Sequence, residues 1–237
     1  MKAHSRSYGL LLSCEHASNQ IPVQYCHILP NDKKHLKSHR GYDPGAYTVA
    51  QAWQKISAAP LFVGEVSRLL VDLNRSLHHR HLWSKYAQLL SIEERQMILD
   101  RYYHTYRQSV EAELMKKLRQ DRPVVHISVH SFTPIMNGER RSAQIGILYD
   151  PQRPGELKLA RRWQKELKND LPKLEIRRNY PYRGTADGFT VALRRKFSAK
   201  DYIGIELELR QDWVKTKSGS HLAQVFHDSL QRAIISD

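Results

Sequence analysis

The sequence predicts an α/β fold of three layers, a sheet with helices on both faces, and three observations predict it. Short apolar runs suited to buried strands alternate with longer segments whose apolar residues recur at helical spacing. The longest helical segment carries its own start signal. No internal repeat, low-complexity tract or convincing linker interrupts the alternation. At 237 residues the chain can bury a substantial core, and one domain over residues 1–237 is the expectation.

The elements follow in order. Tyr8 to Cys14 is short and apolar, as a buried strand requires. In DPGAYTVAQAWQKISAA, Ala46, Val49, Ala50, Trp53 and Ile56 fall on one helical stripe, and Pro44 and Gly45 set its start. PLFVGEVSRLLVDLN, residues 60–74, reads as one or two strands broken near Glu65 to Arg68. Residues 91–120 form the longest helical pattern, opened by Ser91 and Glu94 as a capping box. In the strand at 122–132, Val125, Ile127 and Val129 alternate with His126, Ser128 and His130, so the polar three share one face. A strand at 142–150, a helix at 154–170, a strand at 202–209 and a last helix near 219–235 complete the pattern. Residues 74–88 and 177–190 read as loops rich in Arg, His, Tyr and Gly. In open α/β sheets ligands bind beyond the carboxyl ends of strands, so function is sought in such loops.

Composition narrows the classes. No segment approaches the roughly 20 consecutive apolar residues of a membrane helix, and MKAHSRSYG carries no leader pattern, so a cytoplasmic protein without a membrane partner is expected. Cys14 and Cys26 are too few for a disulfide framework. The net charge of +14 favours anionic partners. The cations are nevertheless spread over amphipathic helices, where a solvated face is the usual explanation, and no nucleic-acid partner is expected.

Four polar clusters lie at predicted strand ends: Cys14 to His16, Arg68 to Arg75, His130, and Glu206 to Arg210. Their chemistry is complementary. Two neutral imidazoles suit zinc, which in catalytic sites takes three protein ligands and keeps one position open. A carboxylate on a neighbouring strand can accept the proton of an activated water, and arginines can recognise a substrate carboxylate or a developing oxyanion.

The blocks SCEHASNQIP, YDPGA, SRLLVDLNRS, HISVHSFTP, RSAQIGILYD and IELELRQD, in this order over nearly the whole chain, resemble the N-formylglutamate amidohydrolase family. That family is similar to the zinc carboxypeptidases and aspartoacylase-type deacylases. The resemblance implies a central mixed, mostly parallel sheet of the zinc-carboxypeptidase (phosphorylase/hydrolase-like) kind. It implies one zinc ion on His16 and His130, with Asn74 and Arg75 holding a substrate carboxylate and Arg68 polarising the scissile carbonyl. Glu208, followed by Leu209 and Arg210, would be the general base, with Glu206 as the alternative on the same side of the strand. Where relatives carry H-x-x-E, this chain has Asn19, a weaker zinc ligand, and Asp43 is the candidate replacement or else a helix N-cap.

Other signals have plainer readings. Cys14 is expected to be an inert buried strand residue and Glu15 a solvated or hydrogen-bonded neighbour. His126 reads as a hydrogen-bonded core histidine, and His78, His79 and His81 as an exposed basic loop in preference to a second metal site, with the pocket mouth as the other place for it. NYPYRGTADG suits either a loop covering substrate, through Tyr182 and Arg183, or an ordinary connection; Arg141 is a further substrate candidate. The expectation is a zinc-dependent amidohydrolase releasing a formyl or other small acyl group from an acidic amino acid such as N-formylglutamate. Another N-acyl-amino-acid deacylase, a carboxypeptidase-like hydrolase and a non-catalytic basic binding protein remain the alternatives, and the oligomeric state is open.

Overall fold

In the computed structural model, which describes residues 8–29, 34–120 and 123–235, the apolar runs become the strands of one six-stranded sheet. In chain order the strands are β1 (Gly9–Cys14), β2 (Leu61–Val63), β3 (Val124–Phe132), β4 (Ile135–Met136), β5 (Glu139–Arg140), β6 (Ile145–Leu148), β7 (Ile176–Arg178) and β8 (Tyr202–Arg210). The large sheet runs β2-β1-β3-β8-β6-β7, while β4 and β5 make a separate hairpin. Strands β2, β1, β3 and β8 are parallel; β6 pairs antiparallel with β8 and parallel with β7. The sheet is therefore mixed and mostly parallel, with β1, β3 and β8 at its centre ending on the same side.

Helices cover both faces. One face presents Leu12, Val125, Ile127, Ile205 and Leu207 to α1 (Ala46–Ser57), α4 (Pro154–Asp170) and α7 (Gly219–Ile235). There Trp53 packs on Trp163 and Phe226, with ring centroids 6.1 and 5.9 Å apart. The indole N–H of Trp163 donates to Ser229 Oγ at 2.9 Å, which satisfies its buried polar end.

The second face carries the polar alternates Ser13, His126, Ser128, His130, Glu206 and Glu208, all buried. It lies beneath α3 (Thr105–Leu118), α5 (Phe189–Lys196) and the irregular segment after β2, which contribute Val110, Leu114, Phe189, Leu193, Leu70 and Leu73. Buried polar groups need partners, and this face supplies them. His126 Nδ1 lies 2.8 Å from Tyr202 Oη and its Nε2 2.8 Å from Ser13 Oγ. Burial pushes the His126 pKa down to about 4, so it is the neutral core histidine that was expected.

The expected helix at 91–120 is found as α2 (Ile92–Ile98), a π-helical turn (Leu99–His104) and α3, and Ser91 and Glu94 close the capping box. The strand expected from residue 122 begins in the described residues at Val124. One expectation is narrowed and one is corrected. Residues 60–74 give one strand, β2, and no second one: after Gly64 the backbone turns, with Leu70 N bonding to Ser67 O and Asp72 N to Leu82 O, and its leucines enter the core from a loop. The segment 177–190 is not all loop, since β7 and α5 occupy its ends; each is too short and too basic to display a periodicity. The short α6 (Gln211–Val214) also follows β8 directly. No helix among the described residues is long and apolar enough to cross a membrane.

Candidate metal and catalytic site

The carboxyl ends of the central strands bring the chemistry together. The two residues after β1 are Glu15 and His16, both buried. On β3, His130 stands beside Glu208 of β8 in register, and Ser128 beside Glu206. The DPG turn places Asp43 against them. Gly45 adopts φ 89°, a left-handed conformation suited to glycine, and is itself the N-cap of α1. The Asp43 amide donates to His16 O at 2.9 Å, tying this turn to the end of β1.

Asp43 does not cap the helix with its side chain. Its Oδ2 accepts from His130 Nδ1 at 2.9 Å and from the Ser131 amide at 3.2 Å, while Oδ1 pairs with Arg68 Nη2. The same Oδ2 is 3.5 Å from His16 Nδ1, a buried nitrogen with no hydrogen-bond partner. One donor atom each from His16, Asp43 and His130 lie within 4.8 Å of one another. Two imidazoles and a carboxylate so placed form a donor set suited to a divalent cation such as zinc.

The far nitrogens of both imidazoles face carboxylates. His16 Nε2 donates to Asp72 Oδ1 at 2.7 Å. His130 Nε2 is 3.0 Å from Glu15 Oε2. Glu15 is itself fixed by Ser128 Oγ at 2.6 Å and Tyr106 Oη at 2.8 Å. Carboxylates behind metal-binding histidines set the tautomer and ring orientation and raise ligand basicity. Sequence reasoning gave Glu15 only a neighbour's role and did not single out Asp72. Their signals are adjacency to His16 in CEH and to Asn74 in DLNR.

Charge follows from these contacts. Burial alone would raise Asp43, Glu15 and Asp72, but their cationic and hydrogen-bonding partners hold all three below the usual carboxylate range: Arg68 and His16 for Asp43, His130 and Ser128 for Glu15, His16 for Asp72. Burial alone would lower His130, yet its bonds to Asp43 and Glu15 raise its pKa well above normal. A cation on these donors would displace that proton. Burial pushes the Cys14 thiol well up, and the Glu15 and Asp43 charges add to this, which leaves it the unreactive thiol expected.

The two glutamates on β8 are distinguished by their partners. Glu206 Oε1 accepts the hydroxyl of Thr190 from α5. Glu208 is 5% exposed and its Oε2 has no hydrogen-bond partner. Burial, with the Asp43 and Glu206 charges adding to it against the pull of His130, raises Glu208 to about 8. A free carboxylate of that basicity beside the His16–Asp43–His130 group is equipped to exchange protons near neutrality.

The remaining candidates are placed as follows. Arg68 sits on Asp43 with its Nε buried and unpartnered. Asn74 Oδ1 accepts the first amide of α5, from Phe189, at 2.6 Å, and Arg75 Nη1 donates to Asp187 O at 2.6 Å, so this pair links the Asp72 loop to the start of α5. Arg141 donates to Tyr182 Oη at 3.1 Å and lies over that ring at 4.9 Å, and the Glu208 charge reaches Tyr182, helping to raise its pKa after burial. Arg210 fixes this corner by donating to the carbonyls of Arg141 at 3.1 Å and Ser142 at 2.6 Å. Arg183 is exposed, and no side-chain contact joins it to the cluster among the described residues. Asn19 is half-buried, and its side chain makes no hydrogen bond among the described residues.

The family model described as N-formylglutamate amidohydrolase matches residues 8–214. Among solved structures the chain is similar to a gene product from Agrobacterium tumefaciens, at 28% identity and a TM-score of 0.83, over 96% of this chain and 91% of that one. It is also similar in fold to the N-formylglutamate amidohydrolase from Ralstonia eutropha JMP134, at 15% identity and a TM-score of 0.70, over 98% and 93% of the two chains. No curated protein matches the chain. With most of its length matched, the chain belongs to the N-formylglutamate amidohydrolase family.

Proposed function

We propose that this amidohydrolase-family chain uses one zinc ion to cleave the N-acyl amide of an acidic amino acid, with N-formylglutamate as the reference substrate. His16 and His130, through Nδ1, and Asp43 would hold the ion. Bound there, zinc would supply a Lewis acid for the amide carbonyl and lower the pKa of a water to about 7. Glu208 takes a proton from the attacking water and returns it to the leaving amine. Arg68, on the Asp43 side of the site, stabilises the negative charge that develops on the carbonyl oxygen.

Arg75 and Asn74 anchor the carboxylate of the amino-acid side, and Arg141 with Tyr182 closes over the substrate near Glu208, with Arg183 on the same loop. The products are the free amino acid and a carboxylate, formate in the reference case.

The observation that carries this reading is the convergence of two imidazole Nδ1 atoms on one Asp43 oxygen, each ring backed by a buried carboxylate. The test is Glu208→Gln assayed on N-formylglutamate with metal content measured alongside. Loss of turnover at unchanged zinc content supports the reading, and unchanged activity refutes the assignment of the base.

A further inference from the structure

Next to the site lies a cleft of about 810 Å³ that the mechanism above uses only at its inner edge, Arg68 and Asp72. It reaches the site through Arg68 and Asp72, and its outer walls are built from the 35–40 segment and the loop after Asp72. A formyl group is a single carbon with one hydrogen. A formyl group fills only a small part of a cleft of this size.

The lining is strongly cationic. Arg40, Arg80 and Lys85 border the cleft, and none makes an ion pair with a carboxylate among the described residues. Arg40 and Arg80 bond only to imidazoles, at His35 and His81, and Lys85 lies 5.1 Å over the Tyr86 ring. The one acid in the wall, Asp72, already pairs with His16. Burial, with the Arg40 and Arg68 charges adding to it, holds the pKa of the His39 imidazole in the wall below normal. Unpaired cations around a concavity concentrate anions.

Its position indicates which part of a substrate enters. Arg68 lines the cleft, whereas Asn74, Arg75 and Glu208 do not. With Arg68 on the scissile carbonyl and Arg75 on the amino-acid carboxylate, the cleft opens on the acyl side. We infer that the acyl group of the preferred substrate is longer than formyl and ends in an anion, a carboxylate or a phosphate-like group, which Arg40, Arg80 and Lys85 receive. The inference rests on the proposed amidohydrolase reading.

The test compares N-formyl-, N-butanoyl-, N-succinyl- and N-(phosphonoacetyl)-glutamate on the zinc-loaded full chain. N-succinyl should exceed N-butanoyl, its uncharged counterpart of the same length, by about tenfold in kcat/KM, carried mostly by KM. The phosphonate arm shows whether a carboxylate or a phosphate-like terminus is favoured. That advantage should shrink severalfold in about 0.5 M salt, where exposed charges are screened. The triple variant Arg40→Gln, Arg80→Gln, Lys85→Gln should abolish it while N-formylglutamate turnover stays within about twofold.

Equal kcat/KM for the charged and uncharged arms, or an advantage that survives the triple variant, overturns the inference and leaves the amidohydrolase reading standing. So does a preference for N-formyl-glutamyl-glutamate, which extends the other end. If no N-acyl-glutamate is cleaved, the amidohydrolase reading falls and calorimetry judges the cleft. Succinate or inorganic phosphate should then bind the wild type about tenfold more tightly than the triple variant, and absent binding overturns the inference. Salt-dependent DNA binding lost in the same variant, without succinate or phosphate binding, overturns it in favour of a nucleic-acid surface.

Discussion

Replacing Asp72 with asparagine tests whether the carboxylate behind His16 serves a metal. Asp72→Asn keeps the size of the side chain and an oxygen that can still accept His16 Nε2–H, now at 2.7 Å, and the Asn74 amide, now at 3.0 Å. What it removes is the charge. A hydrogen bond to an ionised partner contributes about 1.5–3 kcal/mol against roughly 0.5–1.5 for a neutral one, so the loss is about 1–1.5 kcal/mol. That corresponds to about tenfold in the ligand strength of His16 Nδ1, at the low end of the 10–100-fold typical for carboxylates behind metal-bound histidines. Zinc competition against a chromophoric chelator, read at neutral pH with circular dichroism as a fold control, measures it directly. A tenfold weaker zinc affinity with intact secondary structure supports the reasoning. Affinity within about twofold of wild type would refute it, because a ring oriented for metal binding by a buried anion must respond to losing that anion.

Other outcomes follow from the same geometry. Zinc uptake by metal-free protein should release protons, since His130 is held protonated by Asp43 and Glu15; calorimetry in buffers of different ionisation enthalpy reads the number. The metal-free protein should lose stability as pH rises. Glu208 and His130 both have raised folded-state pKa values, so their contributions are full below the unfolded values and are lost as pH climbs through the folded ones, about 8 for Glu208. Thermal melts from about pH 5 to 9 should show the decline, and Glu208→Gln should flatten it. In acid the sign reverses: Glu15, Asp43 and Asp72 are depressed, so what they contribute above about pH 4 fades as pH falls further. On the opposite face of the sheet, Trp163→Ala should cost about 3–5 kcal/mol, lowering Tm by roughly 10 °C, because it empties the contact with Trp53 and removes the N–H that Ser229 Oγ accepts.

Much of this was legible because the chain states its periodicities plainly. The alternation Val125/His126/Ile127/Ser128/Val129/His130 separated an apolar face from a polar one, and the structure gives those faces to the tryptophan core and to the site. The capping box fixed the start of α2, and DPG marked the start of α1. What escaped was short or tertiary. Strand β7 has three residues and takes its identity from pairing with β6; α5 has eight, and its first amide is satisfied by Asn74, 115 positions away in sequence. The leucines of SRLLVDLN look like a strand but are buried from a turning loop, a difference only packing decides.

At the site, residue types pointed to His16, His130 and the Glu206/Glu208 pair, since strand ends and spacing place them. That Asp43 does not cap the helix needed three dimensions: Gly45 takes the cap, and the Asp43 carboxylate faces both imidazoles, where the proposed metal site places it. The supporting roles of Glu15 and Asp72 were hidden because each acts through a ring whose tautomer the sequence does not display. The cationic cleft joins segments around residues 40 and 80 that share no motif.

The proposed chemistry needs one ion, held by His16, Asp43 and His130, for amide cleavage. Chelated protein titrated with zinc, with formate release from N-formylglutamate followed at each addition, tests this most directly. Activity should rise from near zero and saturate at about one zinc per chain, as a three-ligand site requires. Full activity in the chelated protein, or zinc binding at that stoichiometry with no formate released, would contradict it.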